Sequence, residues 1–149
     1  MPTKSFQVSK SIQASPQQVW AILTDAAAYP GWNPAVTRIE GRIAPSESIK
    51  VFVPVNPGRT FPVKVSVFDA PQRMVWTGGM PIGLFTGERV FTLNDRGDGT
   101  TDFHMQEGYR GPLAGMMTRQ IPDLSGSFEQ FGEALKKKAE STGPQTGAA

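Results

Sequence analysis

The sequence contains no cysteine and a single histidine, His104, among its 149 residues. Without thiols the chain has no disulfides, no thiolate metal site and no cysteine nucleophile. One imidazole gives poor support for a histidine metal site, and no His-Glu-x-x-His, Walker or Rossmann motif is present. We therefore expect neither a metal nor a cofactor.

Long apolar runs and a strong charge of either sign are also missing. No stretch approaches the roughly 18 apolar residues of a membrane span, and the segment from Met1 to Lys10 lacks the apolar core of a signal peptide. Fifteen basic and thirteen acidic residues give a net charge of +2, whereas a general nucleic-acid binder presents a basic face. We expect a soluble, unprocessed, cytoplasmic protein without stable membrane insertion or a nucleic-acid partner.

The length of the chain fits one domain with a core of its own. We assign residues 1–141 to this domain. Residues 142–149 are small and polar, and we expect them to form a disordered tail. The sequence leaves the oligomeric state open between a monomer and a weak dimer.

Alternating apolar residues predict seven strands. Phe6, Val8 and Ile12 have the period of a half-buried strand near the N-terminus. No helical stripe occurs between Val36 and Arg110, where short runs are separated by turn residues. The six strands predicted there are Val36 to Gly41, Ser48 to Val53, Phe61 to Asp69, Arg73 to Gly78, Thr86 to Asn94 and Thr100 to Arg110. Short turns between consecutive strands favour an antiparallel meander.

A helix-start signal follows the first strand. Ser15 supplies a cap, Pro16 occupies the first turn, and the Gln18 amide can reach back to the cap. The apolar residues that follow predict a pair of short helices, which we expect to end at Pro30 and Gly31.

The C-terminal part of the chain returns to a helical period. Its apolar residues follow one another at spacings of three and four: Met117, Ile121, Leu124, Phe128, Phe131 and Leu135. Pro122 lies within this stripe and should kink the helix or divide it into two pieces.

Several segments at the junctions of these elements resemble a known family: Ser15-Pro16-Gln17-Gln18-Val19-Trp20, Leu23-Thr24-Asp25, Tyr29-Pro30-Gly31-Trp32-Asn33-Pro34, Ile39-Glu40-Gly41, Gly83-Leu84-Phe85 with Gly87-Glu88, Phe103 with Gln106-Glu107, and the closing helix from Met117 to Glu140. They are similar to the START-like (SRPBCC) superfamily in its polyketide cyclase/dehydrase-like branch, over roughly residues 5 to 140. The resemblance implies an α+β helix-grip fold: a seven-stranded curved antiparallel sheet wrapped around a long C-terminal helix, with two short helices after the first strand. It also implies a cavity between sheet and helix.

The resemblance does not single out one function, because this superfamily includes lipid carriers, hormone receptors and cyclases. The first hypothesis is a protein that binds a small hydrophobic or amphipathic molecule in the cavity. The alternative is a cofactor-independent enzyme of the cyclase or dehydratase kind, acting on an aromatic or polyketide-type substrate. The third is a protein-interaction module. The branch often carries His after the Gly-Glu pair of the sixth strand, where this chain has Arg89, so a catalytic role for that His does not carry over.

Strand alternation gives the candidate polar residues of the site. On the last strand Glu107 and Tyr109 share the inward apolar face, whereas His104 faces outward. On the strand before it Arg89 faces inward, and the expected register puts it opposite Met105 and diagonal to Glu107. Two charges on an apolar face require each other or a polar ligand group. A structural ion pair, a ligand anchor and a general base at Glu107 all stay open.

The remaining candidates are inward-facing strand residues, the helix stripe and one tryptophan on a bend. The full predicted ligand-binding set is Trp32, Val65, Trp76, Arg89, Phe91, Phe103, Met105, Glu107, Tyr109, Met117, Ile121, Leu124 and Phe128. Glu107, Arg89 and Tyr109 are also the catalytic candidates. We expect Trp20 to be core, and the apolar segment from Gly78 to Leu84 to be either a lid or a long hairpin connection.

Overall fold

A computed structural model describes residues 5–54, 60–121 and 123–142, with the backbone alone described at positions 60, 61, 80, 81, 120 and 142. The strands are β1 (Phe6–Ile12), β2 (Arg38–Glu40), β3 (Ser48–Phe52), β4 (Thr60–Asp69), β5 (Arg73–Met80), β6 (Phe85–Asp95) and β7 (Thr101–Arg110). The α-helices are α1 (Pro16–Leu23), α2 (Tyr29–Trp32), α3 (Ala114–Met117) and α4 (Ser125–Thr142). Three short 3-10 segments occur at Ala26–Ala28, Pro81–Gly83 and Thr118–Gln120.

All seven strands join one antiparallel sheet in the order β1-β7-β6-β5-β4-β3-β2. Strands β2 to β7 follow each other as a meander, and β1 pairs with the outer edge of β7. The curved sheet holds α4 on its concave face, and α1 and α2 follow β1. The predicted α+β helix-grip fold is therefore confirmed.

The predicted capping box begins α1. The Gln18 backbone N–H donates to Ser15 Oγ at 3.1 Å, and the Ser15 N–H donates to Gln18 Oε1 at 3.1 Å. Trp20 is buried against Phe68, with ring centroids 5.2 Å apart, as expected of a core residue. The predicted end of the helix pair was wrong by one or two residues, because Pro30 lies in the first turn of α2, where a missing N–H costs nothing.

The apolar stripe at the C-terminus is divided into two helical pieces, as predicted. Ile121 is extended, with φ −82° and ψ 126°, the conformation favoured before a proline. Pro122 itself lies outside the described residues. The second piece starts at Ser125, whose N–H donates to Asp123 Oδ1 at 2.9 Å. Within the described parts of the chain, none of the helices is long and apolar enough to cross a bilayer.

The last helix continues through Thr142, which the sequence had assigned to the tail. Residues 143–149 lie outside the described residues, so the expected disorder of the tail stays a prediction.

Two strand boundaries differ from the prediction by two residues, and several others differ by one. Strand β2 begins at Arg38 instead of Val36, because Asn33 Oδ1 accepts the Ala35 N–H at 2.9 Å and holds this segment in a turn. The connection predicted from Gly78 to Leu84 is shorter in the structure. Strand β5 continues to Met80, which pairs with Phe85 of β6. Ile82 at the tip of this connection is 91% exposed.

Phe131 of α4 lies at the centre of the core. Its ring centroid is 6.2 Å from Tyr29, 5.9 Å from Trp32, 6.0 Å from Phe91 and 6.3 Å from Phe103. Phe91, Phe103 and Phe131 are almost completely buried. One aromatic residue of α4 thus joins the short helices to the middle strands of the sheet.

A glycine brings α4 close to the edge strand β1. A Cβ atom at Gly132 would lie 3.0 Å from Val8 Cγ2 and 3.1 Å from Lys10 Cγ. The Lys10 ammonium bonds Glu129 and lies 3.1 Å from the Glu133 carboxylate, so ion pairs flank this contact.

Replacing Phe131 with alanine should destabilise the domain by about 3 to 5 kcal/mol, the usual cost of removing a buried phenylalanine. Urea unfolding followed by circular dichroism measures this change. Gln130→Ala, at an exposed position of the same helix, is the control and should shift stability by less than about 0.5 kcal/mol. Equal effects of the two substitutions would contradict the packing described for α4.

Candidate functional site

Arg89 and Glu107 face each other directly across β6 and β7. The expected register, with Arg89 opposite Met105, was wrong by two residues. A shift of two residues keeps every side chain on its own face of the sheet. The inward orientation predicted for Arg89 and Glu107 is therefore confirmed, although their pairing is direct and not diagonal.

The turn between these strands explains the error. Strand β6 runs one residue further than predicted and β7 begins one residue later, so that Asp95 pairs with Thr101. The loop that remains is closed by the Arg96 N–H, which donates to the Thr100 carbonyl at 3.0 Å, and by Asp95 Oδ1, which accepts the Gly97 N–H at 2.9 Å. Asp side chains of this kind stabilise tight turns, and this one sets the register of all residues toward the site.

Three side chains form what we call the polar cluster: Arg89, Glu107 and Tyr109. Arg89 Nε donates to Glu107 Oε1 at 2.6 Å, and the Tyr109 hydroxyl donates to Glu107 Oε2 at 2.5 Å. The Arg89 guanidinium lies 4.7 Å from the ring centroid of Phe128, a cation–π contact. Phe85 stacks on Tyr109 with ring centroids 5.8 Å apart. The cluster thus lies between two aromatic rings.

The sequence reading missed Phe85 and Gly87, which complete this arrangement. Gly87 pairs with Tyr109, and a Cβ atom there would lie 3.2 Å from the tyrosine ring. The signal was available, because both residues share the parity of Arg89. Phe85 was lost because the strand was predicted to begin at Thr86, one residue after its observed start, whereas Gly87 lay inside the predicted strand but has no side chain that would mark a site.

The Tyr109 phenol keeps its proton. Burial raises its pKa above the usual range, and the negative charge of Glu107 raises it further. Tyr109 therefore acts as a hydrogen-bond donor and not as a phenolate base near neutral pH.

The concave face changes from closed to open at the polar cluster. Along β7 the inward side chains are buried up to Met105, whereas Glu107 and Tyr109 are only half-buried. Along β6 the same change occurs between Phe91 and Arg89. The side chains of Arg89 and Glu107 are 18% and 17% exposed, so solvent reaches this end of the face.

The predicted ligand-binding residues divide into two groups on this basis. The first group is buried, in the closed part of the face or at its border, and consists of Val65, Trp76, Phe91, Phe103, Met105 and Phe128. Half-buried are the polar cluster and, from α3 to the start of α4, Met117, Ile121 and Leu124. The neighbouring Met116 is 51% exposed.

Trp32 lies at a different place. It borders an outer groove of about 660 Å³ with Pro34 and the C-terminal half of α4, including Ala134, Lys137 and Lys138. The polar cluster instead lies at the N-terminal half of α4, beside Phe128. The structure therefore does not bring Trp32 together with the charged candidates.

His104 lies on the face opposite the polar cluster, as its parity predicted. Its Nδ1 is 2.7 Å from Ser9 Oγ, and its Nε2 is 3.1 Å from Gln106 Oε1. In residues 5–54, 60–121 and 123–142, no three His, Asp or Glu side chains are grouped closely enough to hold a metal ion.

Comparison with protein families decides the classification. The family model for "Polyketide cyclase / dehydrase and lipid transport" matches residues 3–140. The chain belongs to this family. A search of curated proteins by sequence found no match. The expected START-like resemblance is confirmed at the level of family and fold.

Solved structures of other proteins show a similar fold. A hypothetical protein from Helicobacter pylori has a TM-score of 0.74 at 12% identity, over 93% of this chain and 89% of that one. A START superfamily protein from Mycobacterium smegmatis has a TM-score of 0.68 at 18% identity, over 93% of this chain and 98% of that one. The di-domain ARO/CYC protein BexL, from the BE-7585A biosynthetic pathway, has a TM-score of 0.69 at 13% identity, over 95% of this chain and 48% of BexL. These identities establish the fold alone.

Neither tyrosine of this polyketide cyclase-family chain should ionise near pH 10 while the domain is folded. Burial raises the pKa of Tyr29, whose hydroxyl donates to the Leu23 carbonyl at 2.6 Å, and also that of Tyr109. Since the unfolded chain releases these protons near its ordinary pKa of about 10, the stabilisation is fully present below that pH and is lost as the pH rises above it.

Tyrosinate absorbance measured against pH checks this expectation. The titration of the native protein should coincide with unfolding seen by circular dichroism, whereas the protein in urea should titrate near pH 10. A native step of one tyrosine near pH 10, with the fold intact, would show that one of these phenols is accessible.

Proposed function

We propose that this protein binds a small hydrophobic or amphipathic molecule between the sheet and α4, with the polar group of the molecule at Arg89 and Glu107. The observation that carries the proposal is a charged cluster, partly exposed to solvent, on an otherwise apolar concave face. Binding sites for small molecules commonly combine apolar walls with a few polar groups that fix orientation. The description of the family includes lipid transport, which supports the same function.

The surroundings of the cluster supply apolar walls. Phe6 is the cross-strand partner of Glu107 and packs against Phe128, with ring centroids 5.8 Å apart. Phe85 covers Tyr109 from the other side. An apolar molecule that covered these rings would gain roughly 25 cal/mol for each Å² of carbon surface removed from water. The polar cluster alone would give orientation but little affinity, since polar groups first have to lose their water.

A purely structural ion pair is a weaker explanation of the cluster. Partly exposed pairs contribute roughly 0 to 1 kcal/mol, and the Arg89–Glu107 pair occupies inward positions that apolar residues fill elsewhere on both strands. The polar pair therefore lowers the apolar area of the core without a large return in stability. A function in ligand orientation accounts for its location better.

The second candidate function is a cofactor-independent cyclase or dehydratase. The hydrogen bond of 2.5 Å between Tyr109 and Glu107 favours it, because it links an acid and a base at the open end of the face. In such an enzyme the protonated Tyr109 would donate to a developing oxyanion, and Glu107 would exchange protons with the substrate. BexL, whose fold is similar, is a di-domain ARO/CYC protein.

A solvatochromic apolar dye should bind this protein at one saturable site with micromolar affinity, about 8 kcal/mol. Leu124→Trp should weaken binding, because a larger side chain at this half-buried position fills the proposed space. Lys137→Ala, in the outer groove, is the matched control and should bind the dye as the wild type does. Fluorescence titration measures all three. Loss of binding with Lys137→Ala alone would move the site to the outer groove.

Glu107→Gln should separate the two candidate functions. If the cluster is a binding anchor, the substitution should weaken a ligand that carries a polar oxygen several-fold and spare its purely apolar analogue. If Glu107 exchanges a proton, turnover of a polyketide-type substrate should be lost while substrate affinity stays nearly constant. Equal behaviour of the variant and the wild type in both assays would remove Glu107 from either function.

A further inference from the structure

The polar cluster has N–H groups that no described residue accepts from. Glu107 Oε1 already accepts from Arg89, and Oε2 already accepts from Tyr109. An arginine side chain has five N–H donors, and Nε is the atom that Arg89 uses in its ion pair. Its Nη1 and Nη2 groups have no hydrogen-bond partner among the residues that the structure describes. The cluster therefore retains unused N–H groups, while each of its carboxylate oxygens already accepts one hydrogen bond.

A second unused donor lies in the same row of side chains. Trp76 on β5 is the cross-strand partner of Arg89, as Arg89 is of Glu107. The Trp76 side chain is 3% exposed, and its indole Nε1 has no partner in the described part of the chain. A buried N–H without an acceptor is unusual in folded proteins and destabilising. The row from Trp76 to Glu107 thus holds N–H donors on Trp76 and Arg89 that no described acceptor meets.

The charges of the cluster also balance. One guanidinium and one carboxylate sum to zero, and the raised pKa of Tyr109 keeps its phenol neutral. A ligand carboxylate would add a negative charge next to Glu107 in a half-buried site, where it would lack a counter-charge. A ligand N–H or O–H would have to share an oxygen of Glu107 that already accepts a hydrogen bond, whereas an acceptor would meet N–H groups of Arg89 that no described residue accepts from.

We infer that the polar group of the ligand is an uncharged hydrogen-bond acceptor, such as the oxygen of a ketone, ester or quinone on an apolar ring or chain, received by the free Nη groups of Arg89. This inference rests on the proposed function and names the ligand class of that site. It does not depend on whether the bound molecule is then transformed.

Three tricyclic probes of nearly the same shape test it: 9-fluorenone offers a carbonyl acceptor, carbazole an N–H donor, and fluorene neither. A hydrogen bond to a charged donor should make 9-fluorenone bind about tenfold more tightly than fluorene. Carbazole should bind no more tightly than fluorene. Competition with the dye described above gives the three dissociation constants.

The variants assign the preference to Arg89. In the double variant Arg89→Met with Glu107→Gln, which leaves no unpaired charge, the preference for 9-fluorenone over fluorene should disappear while fluorene still binds. Arg38→Met is the matched control, because Arg38 pairs with Glu40 at an exposed position on β2, and it should keep the preference. Thermal melts establish that each variant is folded.

Each result has one meaning. If none of the three probes binds the wild type, the proposed function fails together with the inference. If all three bind equally, or carbazole binds best, binding between sheet and helix stands and the inference about acceptors is overturned. A preference for 9-fluorenone that persists in the folded double variant would also overturn it, because the donor would then be another group.

Discussion

The register of the β6–β7 hairpin is the constraint on which the site depends. The five-residue loop between Asp95 and Thr101 sets this register, and every inward position further along the two strands follows from it. Moving the pairing by two residues would put Arg89 opposite Met105 and separate the guanidinium from its carboxylate. Moving it by one would turn the cluster to the convex face. The hydrogen bonds that close this turn, at Asp95 and Arg96, lie away from the site. They stabilise the register that brings Arg89 and Glu107 together.

Along α4 the concave face serves two purposes at its two ends. Phe131 and Leu135, toward the C-terminus, are almost completely buried, and their burial stabilises the domain. Leu124 and Ile121, toward the N-terminus, are half-buried beside the open region of the face. The division of the helical stripe at Ile121 allows this difference, because an unbroken helix would continue the closed packing over the polar cluster. Stability and the candidate site thus occupy separate lengths of one groove.

Local sequence patterns predicted the elements and their faces well, for physical reasons that can be named. Alternation gave the inward orientation of Glu107 and Arg89, and the Ser15–Gln18 capping box gave the start of α1. The pairing of strands was harder, because register depends on how far each strand continues into its turn. Asp95 and Gly97 favour a turn without fixing the residue at which it starts. Phe85 was missed because β6 was predicted to begin at Thr86, and Gly87, inside the predicted strand, has no side chain that would mark a site.

The N–H donors that remain without a protein acceptor at Arg89 and Trp76 indicate more about the ligand than the fold does. The family fold occurs with many functions, and structural neighbours at 12% to 18% identity do not choose among them. A salt bridge alone is equally uninformative, since Arg89 and Glu107 neutralise each other with or without a ligand. What a closed structural pair does not explain is the set of donors that remains after the pair is made: the Nη groups of Arg89 and the indole N–H of Trp76. Structures rarely leave a buried donor such as the Trp76 N–H without an acceptor, whereas the partly exposed Nη groups of Arg89 can bond to water. An acceptor brought by a ligand would replace that water at Arg89 without disturbing either bond to Glu107.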